Sequence, residues 1–533
     1  MEKNRIPALK KIVDLLALDR KDIFQILYYA IFAGIISLSL PLGIQAIINL
    51  LQGAQISSSW IILVIIVTLG VGFAGGLQIL QLDIIENIQQ KLFVRTSFDL
   101  IYRIPKIRVR ELIDKYPPEL ANRFFDVINL QKGLQKLLLD VPAAVLQILL
   151  GLLLLSLYHP FFIVFGFLLV ILFYILLRFT FDKALVSSLQ ESKSKYKVAY
   201  WVQQVAKNYI SLKIASNNIE LNKNNQLVES YLKHRQNHFS ILKSQFKIMV
   251  VFKVTVTAGL LIIGGLLVLN QQMNIGQFVA AEIIILLLIN SVEKLVLGLE
   301  TIYDVSTAIE KLEEIGEKKL DFNTDTLSPE ISLFPLHIFR LHSSKLSVAD
   351  LVINRGDQIN VVGNDLKTRD LFYYLTGVKK SKDGKIYFDG REIYTVSLKN
   401  YRNYLGLVLR DDQIFEGTLW ENLTLNRKGI KEKDVFSILT YFSLIDEIQT
   451  LPFGLQQYIV PNGDVITFKL EQLIFLLRAL LKKPKMLFVE HEFANPDSYL
   501  EKLVTYTREN EITLVISSNQ KLSSQLKIVE IKE

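Results

Sequence analysis

Six apolar runs, each long enough to cross a bilayer, constrain this chain before any motif does. About 20 apolar residues span the ~30 Å hydrocarbon core as a helix. Backbone groups in lipid must pair internally, so such runs fold as helices. The runs are 23–50, 59–80, 139–157, 161–177, 248–269 and 278–299, all in the first 300 of 533 residues. The segments between them differ in charge. Residues 51–58, 158–160 and 270–277 carry no Lys or Arg, whereas 83–137 and 178–247 are rich in both. Lys3, Arg5, Lys10, Lys11, Arg20 and Lys21 precede the first run. Positive charge stays on the cytoplasmic side, so both termini and the two long loops are expected in the cytoplasm of a multi-pass inner-membrane protein. None of the runs is expected to be a cleaved signal peptide.

Around these spans the pattern adds detail. Leu9, Ile12, Val13 and Leu16 share one helical face, which predicts an interfacial N-terminal helix over 1–22 and a transmembrane domain over 23–317. Apolar periodicity continues through both long loops, which predicts helices reaching beyond the membrane. Turns are expected near 116–120, at Pro117 and Pro118, and near 207–218. Lys253 lies close to a membrane edge, where its stem can snorkel. Glu282 falls inside the last run, where a carboxylate costs roughly 2–3 kcal/mol unless it pairs or faces water. It is a transport-pathway candidate; a pairing or headgroup-level role is the alternative.

Composition removes several function classes. With 0 cysteines, disulfides, thiolate zinc sites and cysteine nucleophiles are excluded. The 6 histidines are scattered along the chain, and no metal is expected. The net charge of +8 sits beside apolar segments, which points to a lipid bilayer and away from nucleic acid.

After a polar linker at 318–330, residues 331–533 read as a soluble domain. Strands are expected at 348–353, 358–362, 385–389, 485–489 and 513–517, with helices at 371–375, 434–442 and 470–481. Strands interleaved with helices predict an α/β domain with a parallel core sheet. One stretch, GNDLKTRDL at 363–371, follows a strand and leads into a helix, the layout of a phosphate-binding P-loop.

The order of these segments resembles a half-transporter of the ATP-binding cassette (ABC) exporter family, and within it exporters of type I secretion. The likeness is carried by SLPLGIQAIINLL (39–51), YPPELANRFFDV (116–127) and MNIGQFVAAE (273–282) in the membrane half. In the cassette it rests on IYFDGREI (386–393), LGLVLRDDQIFEGTLWENL (405–423), LPFGL (451–455) and RALLKKPKMLFVEHE (478–492). The resemblance implies a six-helix transmembrane domain, without a preceding peptidase domain, followed by an α/β cassette of the P-loop NTPase type.

Residue by residue, the family's chemistry does not carry over. In GxxxxGK[ST] the glycines let backbone N–H groups point at phosphate. This chain has Gly363, then Lys367 and Thr368 two residues early; without a gap, Thr368, Arg369 and Asp370 fall at GK[ST]. The second glycine is missing in either register. The adenine-stacking aromatic falls near Leu341, and the glutamine that reaches Mg²⁺ and the attacking water aligns with Arg410. The Walker B aspartate aligns with Glu490, the catalytic glutamate with His491 and the switch histidine with Asn519. The signature LSGGQ aligns with residues 466–470, beginning Ile466-Thr467, with Phe468 and Lys469 in place of its glycines. Asp497 matches the family, although helix capping explains it better.

The reading is therefore an ABC-type exporter subunit, ATPase by ancestry, with a degenerate nucleotide-binding domain over 331–533 and no ATP or Mg²⁺ cofactor. The resemblance implies a homodimer, or a heterodimer with a related ABC chain. It further implies a periplasmic adaptor and an outer-membrane channel, and turns near 116–125 and 207–218 that dock on a cassette. Two alternatives stay open. One is a divergent but active ATP-driven exporter using Lys367, Glu490 and His491; the other is a non-transporting membrane scaffold.

Overall fold

A computed structural model describes the chain except residues 1–4, 38, 53–57, 113–119, 216, 322–332, 343–346, 382, 462–464, 491–495, 520, 523–524 and 532–533. It divides into two compact units: Met1–Pro105 with Lys115–Lys318, and Lys106–Asp114 with Lys319–Glu533.

The first unit is helical: α1 Arg5–Leu16, α2 Arg20–Ser37, α3 Ser39–Gln52, α4 Ser58–Arg103, α5 Asp126–Tyr158, α6 Ile163–Phe179, α7 Phe181–Lys207, α8 Tyr209–Ile214, α9 Ile219–Gly259, α10 Gly265–Leu269 and α11 Ile275–Gly316. Among the described residues, 6 helical stretches are long and apolar enough to cross a membrane, which makes this a multi-pass membrane protein. The first apolar run is helical on both sides of residue 38, over α2 and α3, and forms one span of membrane-crossing length. α9 passes through a π-helical stretch, Leu260–Gly264, into α10.

Helix length explains the long loops. α4 has 46 residues, roughly 69 Å at ~1.5 Å per residue. That is about twice the hydrocarbon thickness, so its polar second half projects beyond the apolar layer. α7 and α9 do the same for the second loop, and the short α8 sits at the turn expected near 207–218. Most of the other expected turn, 116–119, lies outside the described residues.

Local sequence sets the ends of α11. Asn274 Oδ1 accepts from the Gln277 N–H (2.7 Å) and Gln277 Oε1 accepts from the Asn274 N–H (2.9 Å), a reciprocal cap that starts the helix after a neutral loop. Further along, α11 lies against α5 so closely that a Cβ on Gly133 would meet Val305 Cγ2 at 2.2 Å. The buried Gln245 is paired: its Nε2 donates to Thr180 Oγ1 (2.7 Å) and to the Tyr303 hydroxyl (2.9 Å). The apolar face of α1 is divided. Ile12 is buried among Leu92, Leu130, Leu134 and Val305, while Val13 is exposed. Part of that face seats on the helix bundle instead of lipid.

The second unit is the cassette. Its elements are β1 Leu336–His342, β2 Ser347–Ile353, β3 Gln358–Val362, α12 Asp365–Leu375, β4 Asp383–Phe388, β5 Arg391–Glu392, α13 Leu398–Asn403, β6 Leu405–Val408, β7 Gly417–Thr418, α14 Leu419–Thr424, α15 Glu432–Tyr441, α16 Ile445–Gln449, β8 Tyr458–Ile459, α17 Phe468–Leu481, β9 Met486–Glu490, α18 Pro496–Glu509, β10 Thr513–Ser518 and β11 Lys527–Glu530. A 5-stranded parallel sheet runs β11-β3-β10-β9-β6, and a 4-stranded antiparallel sheet runs β2-β1-β4-β5. β9 and β10 are buried along their whole length, which is why they read as continuous apolar runs in the sequence.

The expected linker, 318–330, is structured at its start. Ile107 forms an antiparallel bridge with Leu320. The Arg108 N–H donates to the Lys319 carbonyl (3.0 Å) and the Asp321 N–H to the Lys106 carbonyl (2.7 Å). Asp321 also pairs with Arg402 on α13 at 2.6 Å. Residues 106–108 of the first long loop thus pair with the start of the cassette.

Candidate functional site

The site expected from GNDLKTRDL lies where β3 enters α12, and the helix begins earlier than the sequence suggested. Residues 365–370 were expected in a loop; they are the first turns of α12. Asn364 caps it: its Oδ1 accepts from the Leu366 N–H at 3.0 Å. Its carbonyl accepts from the Lys367 N–H (2.9 Å) and the Thr368 N–H (3.0 Å). The Gly363 N–H donates to the Ser518 carbonyl at 3.2 Å. A phosphate cradle needs successive N–H groups free to converge on an anion. Here those of Gly363, Leu366, Lys367 and Thr368 are spent within the chain.

The side chains decide between the two registers. Lys367 is half-buried, and Thr368 is buried with its hydroxyl 3.4 Å from the Asn364 carbonyl. Arg369 instead reaches the end of β9. Its Nε donates to Glu490 Oε1 (2.6 Å) and its Nη2 to Glu490 Oε2 (2.9 Å), a bidentate fork. Its Nη1 pairs with Asp411. Glu490 Oε2 also accepts the Arg410 N–H at 2.9 Å. Of the two registers, the ungapped one puts at the lysine position the residue that reaches Glu490, Arg369. Glu490 holds the Arg369 guanidinium above its usual pKa range, with Asp411 adding to the effect. Carboxylates and backbone donors that would face a metal–phosphate pair are bound to each other. The residues present do not fit a phosphate–Mg²⁺ group.

The other positions scatter. Leu341 is fully buried on β1 in the core with Ile338, Val361 and Phe388. It is a core residue, not a surface against which a base stacks. Arg410 contributes its backbone N–H to Glu490, and its side chain is exposed. Thr467 caps α17, accepting from the Leu470 N–H (3.2 Å) and donating to Glu447 Oε2 (2.9 Å). That cap closes on itself at the helix start, where the family's signature would meet a phosphate. Asn519 follows β10 and is exposed. His491 lies outside the described residues, and Asp497 falls in the first turn of α18. Among the described residues no group of His, Asp or Glu is arranged to hold a metal. The sequence reading missed Asp411 and the fork of Arg369. The available signal was the loop length, which is normal only if Arg369 is counted at the lysine position.

In the membrane unit, Lys253 lies 3.8 Å from Glu293, a structural pair. Glu282 is half-buried on α11, eight residues past the Asn274 cap, and its carboxylate has no hydrogen-bond or ion-pair partner among the described residues.

A separate feature of the cassette is a cavity of about 240 Å³ with apolar walls and four cations, Arg402, Arg427, Arg478 and Lys482. The Lys482 ammonium donates to the Arg402 carbonyl. Burial, and then Arg427 and Arg402, push Lys482 down to about 8 from 10.5. Between those two pH values the unfolded chain holds a proton that the folded one has lost, so this group makes stability rise with pH across that window. Below pH 8 the folded state carries the full cost of burying the charge. Lys482→Met is expected to raise the apparent melting temperature of the cassette by a few degrees at pH 7, with the gain fading above about pH 10. A gain independent of pH would refute this account.

No protein-family model matches the sequence. Three relatives share parts of it. The uncharacterized ABC transporter ATP-binding protein YwjA of Bacillus subtilis is 24% identical over 275 residues, 49% of this chain and 48% of that protein. The colicin V secretion/processing ATP-binding protein CvaB of Escherichia coli is 25% identical over 269 residues, 48% of this chain and 38% of its own. The multidrug resistance-like ATP-binding protein MdlB of Buchnera aphidicola is 31% identical over 147 residues, 27% of this chain and 25% of its own. The chain thus spans less than half the length of each of these relatives. In three dimensions the likeness is broader. A bacterial Atm1-family ABC exporter solved with ATP bound superposes with a TM-score of 0.82 at 15% identity, covering 97% of this chain and 94% of that one. The fold is that of an ABC exporter half-transporter: helices of membrane-crossing length, then an α/β cassette.

Proposed function

We propose that the chain is one half of an ABC-type exporter whose cassette has lost ATP binding and hydrolysis and is kept as a structural part. The observation that carries this is the Asn364 cap, which turns the phosphate loop into a closed helix start. The fork of Arg369 on Glu490 supports it, because it neutralises the carboxylate at the Walker B position from within. The subunit works as a dimer, with a second copy or with a related ABC chain. In either dimer this chain weakens both composite sites, since each takes a phosphate loop from one cassette and a signature from the other. The partial likeness to CvaB, a secretion protein by its name, supports a type I secretion-like complex with a periplasmic adaptor and an outer-membrane channel.

The domain plan follows the sequence reading: an N-terminal helix over 1–22, a membrane domain over 23–317, a linker over 318–330 and the cassette over 331–533. Both termini lie in the cytoplasm, with the chain in the inner membrane. Single cysteines introduced at positions 57, 274 and 325 test this cleanly, because the chain has 0 of its own. An impermeant thiol reagent is expected to label the first two from outside intact cells and to miss the third. Labelling of position 325 from outside would overturn the orientation. Saturable MgATP binding by the intact protein would overturn the reading of the cassette.

A further inference from the structure

The membrane unit holds a cavity of about 440 Å³ between α5, α7, α9 and α11, within the ~300–1,000 Å³ range of small-molecule sites. Such sites are usually apolar with a few polar groups; this one is lined by charges and hydroxyls. Its inventory of charge is uneven. Asp126 accepts the Tyr196 hydroxyl, and Glu191 is paired with Arg235 at 3.0 Å. Ser188 and Thr307 satisfy each other at 2.9 Å. Lys195 faces Asp126, whose charge a neutral hydroxyl does not cancel, so what remains is Lys132 and Lys136 against Asp304, all three exposed and all lining the cavity. Lys195 lies 5.4 Å from the Tyr196 ring centroid. Lys132, Lys136 and Asp304 have no hydrogen-bond or ion-pair partner among the described residues.

From this we infer that the cavity binds a small hydrophilic acid that also carries an ammonium, the chemistry of an acidic amino acid or short acidic peptide. Its carboxylates meet Lys132 and Lys136 and its amino group meets Asp304. Lipophilic solutes are disfavoured, because entering the cavity would strip water from these charges without replacing the lost hydrogen bonds. The inference deepens the export reading by naming a substrate class and rests on it for the word substrate alone; the binding site stands independently.

The test uses the full chain in lipid nanodiscs, without nucleotide. The probe is a tri-glutamate peptide with a free amino terminus and a fluorophore at its carboxyl end. Saturable binding is expected, weakening as salt is raised. Lys132→Gln combined with Lys136→Gln is expected to weaken it at least 10-fold. Asp304→Asn is expected to weaken binding of the free-amino peptide and to leave the N-acetylated peptide unaffected. Both lysines are exposed, so the variant should fold, as gel filtration would check. Absence of saturable binding, equal binding of tri-lysine, displacement by tetraphenylphosphonium or an unchanged double variant would each overturn the inference. Peptide that binds in this way but is never exported by cells would refute the export reading and leave the site in place.

Discussion

The intact protein in lipid nanodiscs is expected to show no saturable MgATP binding at millimolar concentration and no turnover, and Lys367→Ala is expected to change neither. The argument concerns donors. Phosphoryl transfer depends almost wholly on positioning and on oriented N–H groups and cations, and losing one such donor typically costs ~10²–10³ in rate. Here the N–H groups of Leu366, Lys367 and Thr368 are bonded to Asn364, and Arg369 closes on Glu490. Binding should therefore fail before chemistry is reached. Because Lys367 is not the residue facing Glu490, its removal takes nothing from the site. In a working P-loop, loss of the lysine would abolish activity. Turnover abolished by Lys367→Ala, or nucleotide density against Lys367 and Thr368, would overturn the proposal and promote the divergent ATPase.

The fold was legible where physics acts over many residues. Bilayer thickness marked the spans, and the fully buried strands β9 and β10 announced themselves as apolar runs. Short or irregular strands were not legible. β1 bends at Arg340, which has a φ of 45°, and its register against β4 shifts between Phe339 and His342. β6 contains Gly406, where a Cβ would meet Leu487 Cδ1 at 2.6 Å. A glycine that looks like a turn is there because Leu487 of β9, Pro484 and Ala479 of α17 crowd it. At the site, pattern matching could place Lys367 or Arg369 at the lysine position but could not choose. The choice came from a contact across 121 positions of chain, Arg369 to Glu490, which no local spacing encodes. The pairing of 106–108 with 319–321 was hidden for the same reason.

Arg369→Ala is expected to destabilise the cassette more than loss of any other single side chain at this site. Arg369 joins α12 to the end of β9 through Glu490 and to the segment after β6 through Asp411. The Glu490 side chain is only 8% exposed, so removing its guanidinium leaves a nearly buried carboxylate with the Arg410 N–H. Breaking one side of a buried pair costs roughly 3–5 kcal/mol. Arg369→Lys should recover only part of this, because an ammonium cannot fork onto both carboxylate oxygens while reaching Asp411. Adding Glu490→Gln to Arg369→Ala should restore part of the lost stability, because a neutral amide is far cheaper to bury than an unpaired charge. Thermal and proteolytic unfolding of the full-length variants measure all three. If Arg369→Ala melts like the parent chain, the pair is not holding the cassette together. If Glu490→Gln worsens the Arg369→Ala variant, the loss does not come from an orphaned charge. If Arg369→Ala instead gains MgATP binding without losing stability, the fork is a removable plug on a functional site.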